Sequence, residues 1–213
     1  MAIKVHGHPL SPPTRRVLLT LAEKGIDYEF VPVDLTTGEH KKEPFISMNP
    51  FGQVPVYEDG DFKLFESRAV TKYIASAYAD KGIPLLVEDP KKLAIIGVWL
   101  EVEAHRFDAA GNKLSFEILI KPFLGLTTDE ALVEQSEAQL AAVLDVYEKR
   151  LSEFKYLGGD DYSLVDLHHI PIINNLMKTK VKALFDERPK VSAWAADLLA
   201  RPAWKKVVAG LEA

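Results

Sequence analysis

The feature that most constrains the fold of this chain is a change of pattern after Ala79. Residues 1–79 alternate short β-like runs with helical runs, in the order β-α-β followed by β-β-α. A strand, a helix and a second strand form a right-handed crossover with a parallel pair, and a hairpin adds antiparallel strands. Residues 90–213 show helical spacing almost throughout. We therefore predict an α/β domain at 1–79, a linker at 80–89 and an all-α helical bundle at 90–213.

Local patterns predict the individual elements. Strands are predicted at 3–6, 28–33, 56–57 and 62–64, and helices at 13–24, 67–78, 90–121, 129–154, 164–177, 189–200 and 202–211. The Asp59-Gly60 pair between the last two strands is typical of a hairpin turn. Ser163 followed by Asp166 predicts a capping box, in which each side chain accepts a hydrogen bond from the other residue's backbone N–H. We interpret this box as a feature of folding and not of chemistry.

The composition excludes several functional classes. The chain has 26 basic and 31 acidic side chains, a net charge of -5, whereas a nucleic-acid binder needs a basic surface. Without cysteine it has no disulfide framework, no thiolate metal site and no cysteine nucleophile. No segment reaches the ~18 consecutive apolar residues of a transmembrane helix, and the first residues resemble a strand rather than a signal peptide. We expect a cytoplasmic protein that neither inserts into membranes nor binds nucleic acid.

Ser11 is the first candidate for chemistry. It lies between the first predicted strand and the first predicted helix, where free backbone N–H groups favour an anion by roughly 0.3–2 kcal/mol. A hydrogen bond from its hydroxyl to a charged group adds roughly 1.5–3 kcal/mol. The alternative is that Ser11 or Thr14 serves only as a helix cap.

Two charged fragments could bind the ends of a small peptide. His40 and Lys41, followed by a second lysine, could hold a carboxylate by charge, unless they form a solvated basic turn. Glu66 and Ser67 stand at the start of a predicted helix. The carboxylate of Glu66 could take an ammonium, and the free N–H groups with the Ser67 hydroxyl could take a carboxylate. The alternative is an ordinary capped helix.

The segment 49–55, NPFGQVP, could bind the middle of such a peptide. A proline that begins a strand in a loop is a candidate for a cis bond, and a cis bond at Pro55 would turn the N–H and C=O of Val54 toward an extended peptide. The alternative is a tight turn that binds nothing. Together with Ser11, the fragments fit a small peptide whose central group needs anionic stabilisation.

This ordered set resembles the glutathione transferases, and most closely the phi class found in plants. The resemblance covers essentially the whole chain. Its most specific parts are HKK at 40–42, NPFGQVP at 49–55, DGD at 59–61, LFESRA at 64–69, GLTTDE at 125–130, LDVYEKR at 144–150 and DLHH at 166–169. The resemblance implies a thioredoxin-like glutathione domain (βαβ-ββα) followed by a helical domain that lines the acceptor pocket.

The resemblance also assigns roles to individual residues. Eight residues would contact glutathione: Ser11 at the sulfur, His40 and Lys41 at the glycine carboxylate, Gln53, Val54 and a cis Pro55 at the central cysteine, and Glu66 and Ser67 at the γ-glutamyl head. Four apolar residues would line the electrophile pocket, or belong to the plain core: Pro12, Leu35, Ile120 and Phe123. A homodimer is expected, with the Phe51 ring inserted into the partner or, alternatively, packed within its own chain.

The expected chemistry follows from the properties of a thiol. A free thiol has a pKa near ~8.5, so it is mostly protonated at neutral pH, whereas the thiolate is the nucleophile. If the Ser11 hydroxyl and the helix start favour the thiolate by ~2–3 kcal/mol, the thiol pKa falls by ~2 units. Ser11 would then act as a hydrogen-bond donor and not as a nucleophile. The bound thiolate suffices for conjugation to apolar electrophiles and for reduction of organic hydroperoxides.

Other functions remain open at this point. The main alternative is a non-catalytic carrier of small apolar molecules such as hormones or flavonoids; a third class is an assembly module, for which no further domain is seen. No cofactor is expected beyond glutathione as co-substrate. A metal site at His168-His169 is not expected either, because adjacent side chains on a helix diverge by ~100°.

Overall fold

A computed structural model describes residues 2–212 of the chain, so Met1 and Ala213 lie outside the described residues. Its contacts divide these residues into two compact units, one of residues 2–86 with 202–212 and the other of residues 87–201. The segment 202–212 thus belongs to the first unit, whereas the predicted helical domain extended to the end of the chain.

The first unit is an α/β structure built on a four-stranded sheet. Its elements are strand β1 (Ile3–Gly7), helix α1 (Pro12–Glu23), strand β2 (Tyr28–Pro32), a 3₁₀ turn (Glu39–Lys41), the short helix α2 (Phe45–Met48), strands β3 (Val56–Asp59) and β4 (Phe62–Leu64), and helix α3 (Ser67–Ala77). The strand order is β2-β1-β3-β4. β1 pairs with β2 in parallel, and β3 pairs antiparallel with both β1 and β4. The predicted β-α-β and β-β-α order is therefore confirmed.

The register of the sheet places several candidate segments at one edge. Gly7 at the end of β1 lies beside the end of β2, and the neighbouring residue His6 pairs with Val56 at the start of β3. Tyr57 pairs in turn with Leu64 at the end of β4. The segments that follow β1, precede β3 and follow β4 therefore leave the sheet at the same edge.

Apolar side chains of the sheet and of helices α1 and α3 form the core of the first unit. In β1, Ile3 and Val5 are buried while the alternate side chains are half-exposed, which is the period-two pattern of a strand. Helices α1 and α3 pack against each other, and Leu18, Leu21 and Ile74 are among their fully buried residues. Each such aliphatic side chain contributes about 1.5–3 kcal/mol on burial.

Within residues 87–201, the regular elements of the second unit are helices, and an isolated β-bridge joins Tyr156 and Gly159. Its helices are α4 (Pro90–Val102), α5 (Asp108–Ser115), α6 (Lys121–Phe123), α7 (Glu130–Glu153), α8 (Leu164–Leu176), α9 (Lys182–Asp186) and α10 (Pro189–Ala200), with π turns at Glu103–Phe107 and Phe116–Ile120. The predicted helix at 90–121 is thus an uninterrupted run of helical turns that includes two π turns. Within residues 2–212, no helix is long and apolar enough to cross a membrane.

The last helix, α11 (Pro202–Glu212), packs against α1 and so joins the first unit. Its apolar residues Trp204 and Val207 are buried. Helical periodicity indicates that such a stripe must be covered, but it does not indicate by which part of the chain. For this reason the helix itself was predicted, while its place in the first unit was not.

Asp166 carries a completely buried carboxyl group in the second unit. Its Oδ2 accepts hydrogen bonds from the Ser163 backbone N–H and hydroxyl, both at 3.1 Å, and the predicted capping box is confirmed. Its Oδ1 accepts from the Leu157 N–H at 3.1 Å and from Trp194 Nε1 at 3.0 Å. Complete burial nevertheless raises the pKa of the Asp166 carboxyl from 3.8 to about 6.

We predict that Asp166→Asn destabilises the fold, because the new amide group cannot accept all four hydrogen bonds. An unsatisfied buried donor costs about 1–3 kcal/mol. The folded-state pKa of Asp166 lies above its unfolded value, so folding favours the protonated carboxyl. The stability that Asp166 contributes therefore falls as the pH rises from 3.8 to about 6.

Chemical denaturation at about pH 4 and about pH 7 measures this effect. The free-energy cost of Asp166→Asn should be larger at the lower pH. Equal costs of Asp166→Asn at both pH values would contradict the raised pKa.

Candidate active site

Ser11 is the N-cap residue of α1. Its backbone is extended, and its Oγ accepts a hydrogen bond from the Thr14 N–H at 3.4 Å. The Ser11 carbonyl accepts from the Arg15 N–H, which begins the helical ladder. Because Oγ acts here as an acceptor, its own proton remains free to be donated to a ligand. The residue is half-buried and follows β1 at the shared edge of the sheet.

Thr14, which carries the second hydroxyl near this position, is buried inside the first unit. It has no solvent exposure, and its Oγ1 has no hydrogen-bond partner among the described residues. A Cβ at Gly7 would overlap the Thr14 side chain, so that glycine is what allows the close packing. The Thr14 hydroxyl is therefore not accessible to a ligand in this structure.

The loop before β3 is held by the buried side chain of Asn49. Its Nδ2 donates to the Gln53 carbonyl at 2.7 Å, and its Oδ1 accepts from the Phe51 N–H at 3.1 Å. The Val54–Pro55 bond is cis, as predicted. The Gln53 side chain is exposed and Val54 is half-buried. The sequence patterns alone assigned Asn49 no role, although asparagine side chains in turns commonly form hydrogen bonds with nearby backbone groups.

The basic residues at 40 and 41 lie against this loop. The 3₁₀ turn that carries them approaches Gly52, where an added Cβ would stand 2.6 Å from the His40 carbonyl oxygen. Lys41 Nζ donates to the Phe51 carbonyl at 3.1 Å and is otherwise exposed. The Nδ1 of His40 is buried and lacks a hydrogen-bond partner within the described part of the chain. Two of the predicted fragments are thus brought together.

Glu66 and Ser67 form an unusual helix start. Glu66 has φ 67° and ψ 98°, and over residues 2–212 it is the only non-glycine residue with a positive φ. Such backbone conformations cost about 1–3 kcal/mol and are concentrated at functional sites. Glu66 makes no side-chain cap bond to α3, and the N-terminal end of a helix favours an anion. Ser67 is buried, and its Oγ accepts a hydrogen bond from Arg16, a residue that sequence reasoning did not single out.

Comparison with known proteins identifies the family. The glutathione S-transferase N-terminal domain matches residues 1–76, and the C-terminal domain of the same family matches residues 106–202. A glutathione S-transferase of Hyoscyamus muticus is 62% identical over 208 residues, 98% of each chain. The crystal structure of glutathione transferase F7 from Populus trichocarpa is 47% identical with a TM-score of 0.95, covering 98% of this chain and 99% of that one.

The chain belongs to the glutathione transferase family. The predicted resemblance to the plant phi class and the predicted two-part fold are confirmed by these relatives. A further structure, glutathione S-transferase I from maize in complex with an atrazine glutathione conjugate, is 42% identical with a TM-score of 0.90. It covers 100% of this transferase and 99% of its own chain.

The four residues predicted to line an electrophile pocket fall in both units of the transferase. In the first unit, Pro12 is the half-buried first residue of α1, and Leu35 packs against the small core cluster of Val33, Phe45 and Val56. In the second unit, Ile120 is half-buried and Phe123 is 79% exposed. The exposure of Phe123 indicates an apolar surface that lacks a partner in its own unit.

The second unit also contains a cavity of about 570 Å³. Its apolar wall comes from α4 and α7 and includes Val98, Trp99, Val102, Val143, Val146 and Tyr147. Val98 and Val146 are both more than half exposed. The cavity was not foreseen from the sequence, because its walls are contributed by two helices, α4 and α7, that do not follow each other directly in the chain.

We predict that Gly52→Ala destabilises this transferase more than Gly38→Ala does. Both glycines have positive φ, 56° and 71°, so alanine at either position costs about 1–2 kcal/mol for the left-handed backbone. Only at Gly52 would the new Cβ also meet the His40 carbonyl, whereas nothing lies within 4 Å at Gly38. Denaturant unfolding of both variants measures the difference. Equal losses would mean that the turn at 39–41 does not pack against the loop as described.

Proposed function

We propose that this transferase joins the thiolate of glutathione to apolar electrophiles, with the Ser11 hydroxyl as the group that stabilises the thiolate. The observation that carries the proposal is the contrast between the two hydroxyls at the start of α1. Ser11 is accessible and can still donate its proton, while Thr14 is fully buried. The maize relative with a bound glutathione conjugate supports the same product class here.

Glutathione binding would follow the edge of the sheet. The γ-glutamyl head meets Glu66 for its ammonium, and the Ser67 hydroxyl with the N-terminal end of α3 for its carboxylate. The cysteine residue of glutathione pairs with the backbone of Val54, beside the Gln53 side chain. The glycine carboxylate takes the charge of the exposed Lys41 and a hydrogen bond from the half-buried imidazole of His40. Each of these groups comes from a segment that leaves the sheet at the shared edge or packs against one.

The main contribution of the protein to the chemical step is to lower the pKa of the glutathione thiol. The Ser11 proton points to the sulfur, and the α1 N-terminus adds a partial positive charge. The sulfur lone pair forms a bond to the electrophilic carbon while the leaving group departs with the electrons of the broken bond. Ser11 keeps its proton throughout. The same thiolate can attack the terminal oxygen of an organic hydroperoxide, so that an S–O bond forms while the O–O bond breaks and the alcohol leaves. A second glutathione then reduces the glutathione sulfenic acid, which gives glutathione disulfide and water, and peroxidase activity is the second reaction of this site.

The electrophile would contact apolar side chains rather than hydrogen-bonding groups. Pro12, Leu35, Ile120 and Phe123 are the apolar side chains that we propose to contact an electrophile. Apolar pockets with few polar groups select ligands by shape and hydrophobic area. A narrow range of electrophiles is therefore not expected.

We also propose that the transferase is a homodimer in which Phe51 of each copy enters the apolar cavity of the other. Phe51 is 65% exposed at the tip of the loop held by Asn49, and its ring touches only Phe65 among the described aromatic rings, at 6.0 Å between centroids. An exposed phenylalanine and an open apolar cavity are mutually complementary. In a two-fold dimer, this contact forms twice.

Ser11→Ala is expected to lower kcat/KM for conjugation of a chlorinated nitrobenzene by about 10-fold to 100-fold, the value of a hydrogen bond to a charged group. The Kd for glutathione should change little, because the other contacts remain. Thr14→Val, which removes a buried hydroxyl of similar shape, is the matched control and should retain wild-type kinetics. Full activity in Ser11→Ala, or an equal loss in Thr14→Val, would remove Ser11 from the mechanism.

Phe51→Ser should convert the dimer to a monomer, because each ring buried in a partner contributes about 1.5–3 kcal/mol. Analytical ultracentrifugation measures the change. Phe123→Ser is the control: it removes another exposed ring, so it should leave the oligomeric state intact and raise KM for the electrophile. A wild-type protein that sediments as a monomer would refute the interface.

A further inference from the structure

Arg16 is a fully buried cation in the first unit. Its relative exposure is 1%, although it is one of the largest side chains of α1. Its NH1 donates a hydrogen bond to the Ser67 hydroxyl oxygen at 2.9 Å, between the first turns of α1 and the start of α3. Burial of a guanidinium is costly unless its N–H groups find acceptors. The Ser67 bond is therefore part of what allows a charge in this position.

The direction of this hydrogen bond decides what Ser67 can do. Arginine carries five N–H donors and no acceptor, so the Ser67 oxygen must be the acceptor. The hydroxyl proton of Ser67 is then available for a second partner. Ser67 is also the first residue of α3, where the N–H groups of the first turn lack a side-chain cap. A ligand acceptor at this helix start would meet an oriented hydroxyl donor at the positive end of the helix dipole.

We propose that Arg16 is a positioning residue for glutathione: its guanidinium holds the Ser67 hydroxyl so that this hydroxyl donates to the γ-glutamyl α-carboxylate. The proposal rests on the proposed function, which places that carboxylate at Ser67. Arg16 itself does not touch the ligand. It acts through Ser67, and its charge adds an attraction to the carboxylate that water screens little in a buried setting.

The neighbouring arginine shows that the Ser67 contact is not a general property of buried cations in α1. Arg15 is also buried, at 5% exposure, and its Nε donates to the Pro9 carbonyl at 2.6 Å. That bond ties the helix to the backbone of the preceding loop. Arg16 is directed instead at a side chain of the candidate site. If stability alone were at stake, a well-packed apolar side chain would serve as well as or better than a buried cation.

The test compares glutathione with an analogue in which the γ-glutamyl α-carboxylate is an amide. We expect the wild-type protein to bind glutathione about 10-fold to 100-fold more tightly than the amide, the value of hydrogen bonds to a charged group. In Arg16→Gln and in Ser67→Ala this preference should fall to a few-fold. The double variant should lose no more than the larger single loss, because both changes remove the same interaction.

Three outcomes would overturn the inference. One is an Arg16→Gln protein that binds both ligands more weakly by the same factor, which indicates a merely structural role. The second is a double variant whose losses multiply. The third is a wild-type protein that binds glutathione but does not prefer it to the amide. Wild-type protein that binds neither ligand would instead refute the proposed function, and the inference with it.

Two further variants keep the test decisive. Lys24→Gln removes another buried cation of the same region, whose Nζ donates to the Lys81 carbonyl at 3.1 Å, and it should leave the preference unchanged. Should Arg16→Gln fail to fold, Arg16→Lys retains the charge but not the planar fork. Its preference should be at least about 3-fold below that of the wild type, since one flexible ammonium orients Ser67 less well. A wild-type preference in a folded Arg16→Lys protein would contradict the positioning role.

Discussion

The pairing of β1 with both β2 and β3 is the constraint on which the rest of the site depends. Because β1 runs parallel to β2 and antiparallel to β3, the end of one strand lies beside the start of another. Ser11, Val54 and Glu66 are far apart in the sequence, yet each lies within a few residues of the same sheet edge. A one-residue slip in this register would turn every side chain of β1 to the opposite face.

The two helices that begin at that edge, α1 and α3, differ in how their first turns are capped. α1 begins with a side-chain cap, Ser11, whose oxygen is occupied by the Thr14 N–H while its proton is free. α3 begins after Glu66, whose side chain does not cap it. The first arrangement suits a soft anion such as a thiolate, which needs one donor. The second suits a carboxylate, which accepts several hydrogen bonds.

Much of this arrangement could be predicted from the sequence, because the relevant patterns are local. The strands and helices follow from periodicity, the capping box from Ser163 and Asp166, and the cis bond at Pro55 from its place at the head of a strand. Motif resemblance added the family, which the comparisons confirm.

The parts that could not be predicted are those that depend on tertiary contacts. Whether Ser11 or Thr14 faces a ligand depends on how β1 packs, and Gly7 is the residue that lets Thr14 become buried. The contact between Arg16 and Ser67 joins residues 51 positions apart, and nothing in either local sequence indicates it. Similarly, the apolar stripe of α11 shows only that some surface must cover it.

The proposed mechanism requires that a neutral hydroxyl at a helix start keeps the sulfur of bound glutathione ionised. Ultraviolet titration of the thiolate in the wild-type complex measures this ionisation. We expect a thiol pKa about two units below the free value near ~8.5. A bound thiol that titrates at the same pH as in free solution would contradict it and favour a carrier of apolar molecules instead.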